Sequence, residues 1–215
     1  MLEQLVLFYE GLIRNIGGGL GRKVRYQYYK KRLARCGENV NIEEGVYFEN
    51  PKDIELSNNI WIDKQAILIA GAFNSVNRKY HQKGESIIPW GKLLIDDGVH
   101  LAPQTVIQAH GGLRIGKNVT IAAGAKVYTL SHHYKNLEDV TDSKRYSFSS
   151  MAAREDQFMI VGNVIIGNNA AVGLNSVILP GTTVPEGTWI GVLSNPNNQP
   201  LTPNSVFSSL KINNE

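Results

Sequence analysis

Apolar residues return at every sixth position through long parts of this 215-residue chain. Ile42, Phe48, Ile54, Ile60 and Ala66 keep the step. Ile95, Leu101 and Ile107 repeat it, then Ile115, Ile121 and Val127, and then Ile166, Val172, Ile178, Val184 and Ile190. An α-helix would return its apolar face at 3.6 residues and a half-buried strand at 2. Six is a multiple of two, so each unit fits a short strand with one deeply buried side chain. The residues between are turn formers, as in "GNN", "GKN", "PGTT" and "PEG". Three such strands with three turns make one coil of about 18 residues, and stacked coils bury a continuous apolar column. The expectation is an all-β parallel β-helix of hexapeptide repeats.

Two stretches break the step. Residues 71–91, "GAFNSVNRKYHQKGESIIPWG", and residues 129–159, "TLSHHYKNLEDVTDSKRYSFSSMAAREDQFM", are polar and aperiodic. Loops this long in a compact domain commonly carry function. Residues 1–37 also lack the repeat. Leu5, Phe8, Tyr9, Leu12, Ile13 and Ile16 share one helical face, residues 17–19 are glycine, and a basic run follows with Arg22, Lys23, Arg25, Lys30, Lys31, Arg32 and Arg35. A second helix ending near Gly37 is expected there. This arm either caps the open end of the β-helix or lays a basic face against an anionic membrane. The organisation read from the sequence is a helical basic arm at 1–37, a β-helix at 38–195 and a C-terminal tail at 196–215.

A net charge of +3 is too small to mark a nucleic-acid binder. One cysteine, Cys36, excludes an intrachain disulfide and a cysteine metal cluster, and reads as a small buried residue rather than a nucleophile. A reducing, cytoplasmic setting is expected, with the arm at most peripheral to a membrane. No run approaches the roughly 20 apolar residues of a membrane span. Glu3 and Glu10 interrupt the apolar start, so no signal peptide is expected.

The stretch "IGNNAAVGLNSVILPGTTVPEGTWIG" resembles the hexapeptide-repeat acyltransferases, and the likeness covers about residues 38–195. The resemblance implies a left-handed β-helix, an exception to the usual right-handed crossover, together with a homotrimer and acetyl-coenzyme A as acyl donor. It is nearest the polysaccharide, O-antigen and galactoside O-acetyltransferases at "IAAGAKVYTLSH", where Ser131 stands in place of a glycine. That match implies His132 as the general base. His110 falls where the galactoside enzymes carry an acidic residue that binds the acceptor. The expectation is therefore that His110, with His133, lines the acceptor site. The coils "AAVGLNSVILPG" and "TWIGVLSNPN" resemble those that line the coenzyme A arm, implying Gly173, Leu174, Gly191 and Val192 as donor-binding residues. After that coil "NPNNQPLTPNS" replaces the family's lysine-bearing segment, which leaves the phosphate contact unassigned.

Imidazole titrates near neutrality, which suits removal of a hydroxyl proton during acyl transfer. Adjacent residues of an extended strand point to opposite sides, so His132 and His133 do not share a metal ion and none is expected. Glu138, Asp139 and Asp142 follow closely as candidates to orient His132, without a basis for choosing among them. The function expected is acetyl transfer to a sugar hydroxyl in O-antigen or other surface-polysaccharide synthesis. The alternatives are N-acyl transfer to an amino sugar or nucleotide-sugar and a non-catalytic scaffold.

Overall fold

The computed structural model describes residues 2–210. Short parallel strands stack into three faces that the chain visits in turn. One face has six strands, from Arg35–Cys36 through Ile54–Leu56, Leu93–Ile95, Leu113–Ile115 and Val164–Ile166 to Thr183–Val184. A second has seven, from Val40–Ile42 to Val206–Phe207. The third has five: Tyr47–Glu49, Ile67–Ile69, Val106–Gln108, Lys126–Tyr128 and Val177–Ile178. On every face the strands follow chain order, one coil per layer, as a parallel β-helix requires. All sixteen apolar residues of the six-step series are buried, none more than 4% exposed.

The register corrects the first series. Leu56 pairs with Ile95, Ile62 with Leu101 and Leu68 with Ile107. The stacked column thus runs Ile42, Phe48, Leu56, Ile62, Leu68, not through Ile54, Ile60 and Ala66. Ile54 and Ile60 stay buried because the first and third residues of a three-residue strand share a side. Eight residues instead of six separate Phe48 from Leu56 and Ile107 from Ile115. Coils with a long corner hold 20 residues, as between Ile107 and Val127, while the C-terminal coils keep 18, as between Val172 and Ile190. His110 sits on the second long corner.

The two aperiodic stretches pair with each other. Leu130–His133 runs antiparallel to Phe158–Val161, which runs parallel to Lys79–Gln82. This small sheet overhangs the five-stranded face. Asn163 staples it down from a buried position: its Oδ1 accepts from the Ile88 N–H (2.7 Å), and its Nδ2 donates to the carbonyls of Ile88 and Gly111. Leu130 N–H donates to Gln108 Oε1 on the five-stranded face (3.1 Å). Within residues 196–210, Val206–Phe207 adds a further strand beside Trp189–Ile190.

The arm forms two helices, α1 (Leu2–Arg14) and α2 (Gly18–Lys30). α2 ends earlier than the sequence predicts, because Arg35–Cys36 already pairs with Glu55–Leu56 as the first strand. Tyr29 seals the end of the apolar column, its ring 4.5 Å from that of Phe48. Arg25, expected on a basic surface, lies fully buried. Its guanidinium donates to the carbonyls of Ile13 (3.1 Å), Arg14 (3.3 Å) and Ile16 (2.6 Å) at the C-terminal end of α1, and of Ile42 (2.8 Å) in the first coil. A cation at a helix C-terminus meets otherwise orphaned carbonyls and the negative end of the dipole. The apolar face of α1 is not buried: Ile13 is interior, but Leu5, Phe8, Tyr9 and Leu12 are at least half exposed. Among the described residues no helix is long and apolar enough to cross a membrane.

Candidate active site

Between the five-stranded face and the overhanging sheet lies a hollow of about 670 Å³. Gln108, Tyr128, Val177 and Leu179 form its floor, and Leu130, His132 and Met159 its overhanging wall. Phe73, Asn74 and Arg78 close it from the first aperiodic stretch, and His110 enters from the long corner. Strand alternation decides which histidine joins. His132, Met159 and Tyr80 lie opposite one another across the small sheet, so they share a face. His133, Phe158 and Lys79 occupy the next row and take the other face. His133 lines a separate hollow of about 430 Å³ with His81, Lys83 and Ile160, and its Nδ1 is engaged by the Lys135 carbonyl (2.9 Å). Of the three histidines expected around the acceptor, the structure brings His110 and His132 together and leaves His133 apart.

The two imidazoles differ in what holds them. His110 Nδ1 lies 2.7 Å from the Gly71 carbonyl. Only an N–H satisfies a carbonyl, so Nδ1 carries the proton and the Nε2 lone pair is left free. Gly71 opens the first aperiodic stretch at φ 94°, a conformation that favours glycine. His132 Nδ1 is buried and has no hydrogen-bond partner among the described residues. The carboxylates near it in sequence are engaged elsewhere. Glu138 meets His81 (2.5 Å), and Asp139 accepts from the Thr141 hydroxyl (2.7 Å). Asp142 accepts from the Tyr146 hydroxyl (2.6 Å), Asn136 (2.9 Å) and Lys79 (3.0 Å). Those bonds, the tyrosine's first, hold the Asp142 carboxyl well below its ordinary range.

Several lining residues escaped the sequence reading because the stretches that carry them have no period. Phe73 lines the hollow and packs edge-on or tilted with Tyr80 and Trp90, the three centroids 5.6–6.0 Å apart. Arg78 donates through Nε to Gln157 Oε1 (3.0 Å) and through Nη1 to the Asn74 carbonyl (2.9 Å). Their one signal is density: aromatic and amide residues crowd the segments that lack repeats. Cys36 is half-buried, and burial pushes its thiol up, against a nucleophilic role.

Gly173, Leu174, Gly191 and Val192 form one corner, outside the lining of the hollow. Gly173 N–H donates to the Ile190 carbonyl (2.8 Å), and a Cβ on Gly173 would come within 2.7 Å of the Gly191 carbonyl carbon. The coils therefore touch backbone to backbone there, beside the exposed side chains of Leu174 and Val192. Val177 and Leu179 carry the same chain onward to the floor of the hollow.

No protein-family model matches the chain. A dTDP-4-amino-4,6-dideoxy-D-glucose acyltransferase of Escherichia coli is 26% identical over 158 residues, covering 74% of this chain and 69% of that protein. The resemblance to the hexapeptide-repeat acyltransferases is borne out. Among solved structures, the hexapeptide-repeat fold aligns with AntD, an N-acyltransferase from Bacillus cereus solved with dTDP and 3-hydroxybutyryl-CoA. The TM-score is 0.65 at 19% identity, over 87% of this chain and 84% of that one. A maltose O-acetyltransferase from Clostridium difficile 630 aligns with a TM-score of 0.51 at 15% identity, over 92% and 76%.

Proposed function

We propose that this chain transfers an acetyl group from acetyl-coenzyme A to a hydroxyl of a sugar, within O-antigen or other surface-polysaccharide synthesis in the cytoplasm. The observation that carries the reading is the hollow itself, which holds two imidazoles and, among its described lining residues, no carboxylate. An amino sugar arrives as an ammonium, which a carboxylate would hold and a base must still deprotonate; a neutral hydroxyl asks only for the base. The resemblance assigns that base to His132. Its imidazole takes the hydroxyl proton as the oxygen attacks the thioester carbonyl. When the tetrahedral intermediate collapses, the imidazolium returns the proton to the departing thiolate. The bare corner at Gly173 and Gly191, flanked by Leu174 and Val192, suits an alkyl-amide arm that hydrogen-bonds to backbone. The 3-hydroxybutyryl-CoA in the AntD complex supports a coenzyme A thioester as the donor here. The coils wind left-handed in this reading.

His110 is the second candidate for the base, favoured by its fixed tautomer and free Nε2 lone pair. N-acyl transfer is the second candidate for the reaction, favoured by the E. coli relative. Thiol release with hydroxyl and amino-sugar acceptors separates the reactions; turnover confined to amino sugars overturns the O-acetyl reading. His132→Ala should lower turnover by about 10²-fold or more, roughly 3 kcal/mol of barrier, with donor affinity unchanged. His110→Ala should mainly raise the acceptor's KM. An inactive His110→Ala beside a near-normal His132→Ala would transfer the base to His110.

The assembly in this reading is a homotrimer with sites between subunits. Trp61, Trp189 and Val206 stand in one outward column of the seven-stranded face and are exposed, which supports a partner there. Sedimentation of an active monomer would exclude it. The arm contacts anionic membrane: Tyr9, from the open apolar face of α1, shares a hollow with Lys23, Lys31 and Arg32 of the basic run. Binding to anionic vesicles should fall with added salt and with Lys30, Lys31 and Arg32 changed to Glu; a protein that ignores such vesicles at low salt has only a capping arm.

A further inference from the structure

The geometry points to Arg78 as the anchor for a phosphate group that the acceptor sugar carries. This rests on the acyl-transfer reading above and specifies its acceptor. Arg22, Arg35 and Arg114 each sit against a carboxylate, of Glu43, Glu55 and Asp96. Arg78 meets none among the described residues, although it is only partly exposed. Two neutral oxygens orient it instead, Gln157 Oε1 on Nε and the Asn74 carbonyl on Nη1. Gln157 is itself 2% exposed, and its Nε2 donates to the Ala152 carbonyl (2.7 Å). That bond fixes which way the amide faces, so its oxygen must accept from Arg78. A guanidinium carries five N–H groups in a rigid fork. Two are used here, the plane is set, and three remain for an anion without the entropy cost of ordering a loose side chain.

The position selects the kind of anion. Arg78 lines the histidine hollow and also an adjoining one of about 460 Å³, with Asn77, Lys79 and Glu155. Lys79 is held by Asp142, and Glu155 lines the adjoining hollow without an ion pair to Arg78 among the described residues, so Arg78 is the free cation at the junction. An anion between two hollows has a substituent on each side. A phosphate ester meets that demand, with the sugar inward toward His110 and His132 and the remainder outward. A sugar carboxylate ends the molecule and leaves the outer hollow unused. The shared chemistry is a sugar linked through phosphate, whether to a nucleoside or to a lipid carrier.

Calorimetry on the full-length protein tests this without turnover, using dTDP and UDP as probes. Binding should weaken about tenfold or more in Arg78→Gln, and less in Arg78→Lys, which keeps charge but loses the fork. Gln157→Glu should weaken it as well, by giving Arg78 an internal carboxylate while preserving shape; a merely structural Gln157 would leave binding intact. Acetyl-coenzyme A affinity should be unchanged in all three. A lipid-linked sugar diphosphate in vesicles is the second arm. Arg78-dependent binding there, with none of the free nucleotides, identifies the lipid carrier as the source of the phosphate. Neither probe binding in an Arg78-dependent way, or a loss confined to acetyl-coenzyme A, overturns the assignment. Acetylation of phosphate-free sugars measured in parallel keeps the two readings apart: it can proceed with Arg78 irrelevant, or fail while Arg78 still binds phosphate.

Discussion

The stacked coils and the overhanging sheet are both built from strands of two to four residues, yet different forces hold them. In the coils each strand pairs with a neighbour 17 to 20 residues away except where an aperiodic stretch intervenes, and one or two inward side chains per strand join the common core. In the overhang, Phe73, Met159 and Val161, with Leu130 and Trp90 against them, form a small separate apolar cluster, and Tyr146 packs on Phe158. Polar groups do the joining: Asn163, Gln157 and Gln108 tie segments together through amide hydrogen bonds. The lesson is a division of labour. Repetition supplies burial and a rigid backbone, and the unrepeated chain laid against it supplies residues that no repeat unit could place.

The sharpest way to break that division is to cut a cavity in each part. Ile121 is fully buried between Leu101 and Val172 in adjacent layers. Ile121→Ala should cost about 2–5 kcal/mol, seen as a lower thermal midpoint with binding intact at temperatures where the protein is folded. Phe73→Ala should leave the main transition much closer to wild type and instead raise the acceptor's KM, because the overhang opens locally beneath the global transition. If Phe73→Ala lowers the midpoint as far as Ile121→Ala, the two regions are one cooperative unit.

A smaller effect is expected at Gly173, in the proposed donor site. Gly173→Ala forces a Cβ against backbone, so the layers must shift, at about 1–3 kcal/mol. Donor binding should weaken while affinity for the acceptor stays near wild type. Equal losses for both ligands would put Gly173 outside a dedicated donor site. The smallest effect should come from Asp142. Its folded carboxyl titrates lower than the unfolded one, so its stabilising contribution is present above about pH 4 and lost as pH falls below that. Wild type should lose midpoint through that acid window, and Asp142→Asn should lose less. Identical acid profiles would remove Asp142 from the forces that hold the overhang.

The sequence carried the coils almost completely, because each inward residue has its own period-six signature. It misphased Ile54, Ile60 and Ala66, since a corner two residues longer leaves apolar residues at both the old and the new phase. The separation of His132 from His133 followed from strand alternation, while the choice of His132 came from the resemblance at "IAAGAKVYTLSH". The partners followed from neither. Gly71 comes beneath His110 because the layers stack Ile69 on Gln108, and Gln157 comes behind Arg78 through pairing between two aperiodic stretches, neither of which has a pattern that names the other. Arg25 misled for a related reason: a basic run looks solvated until the carbonyls that surround one member are known.

The separation of 79 positions from Arg78 to Gln157 also sets an order in time. A growing chain can close its first coils as it emerges, because each strand soon finds the layer below. Arg78, Phe73 and His110 are then already outside the ribosome with nothing to hold them. Their hollow takes shape only when the strand Phe158–Val161 arrives and slots between Lys79–Gln82 and Leu130–His133. Throughout that interval the nascent protein displays a partly built scaffold and an unclosed, aromatic-bearing edge, the stretch of synthesis in which it is most exposed to mispairing with another copy of itself.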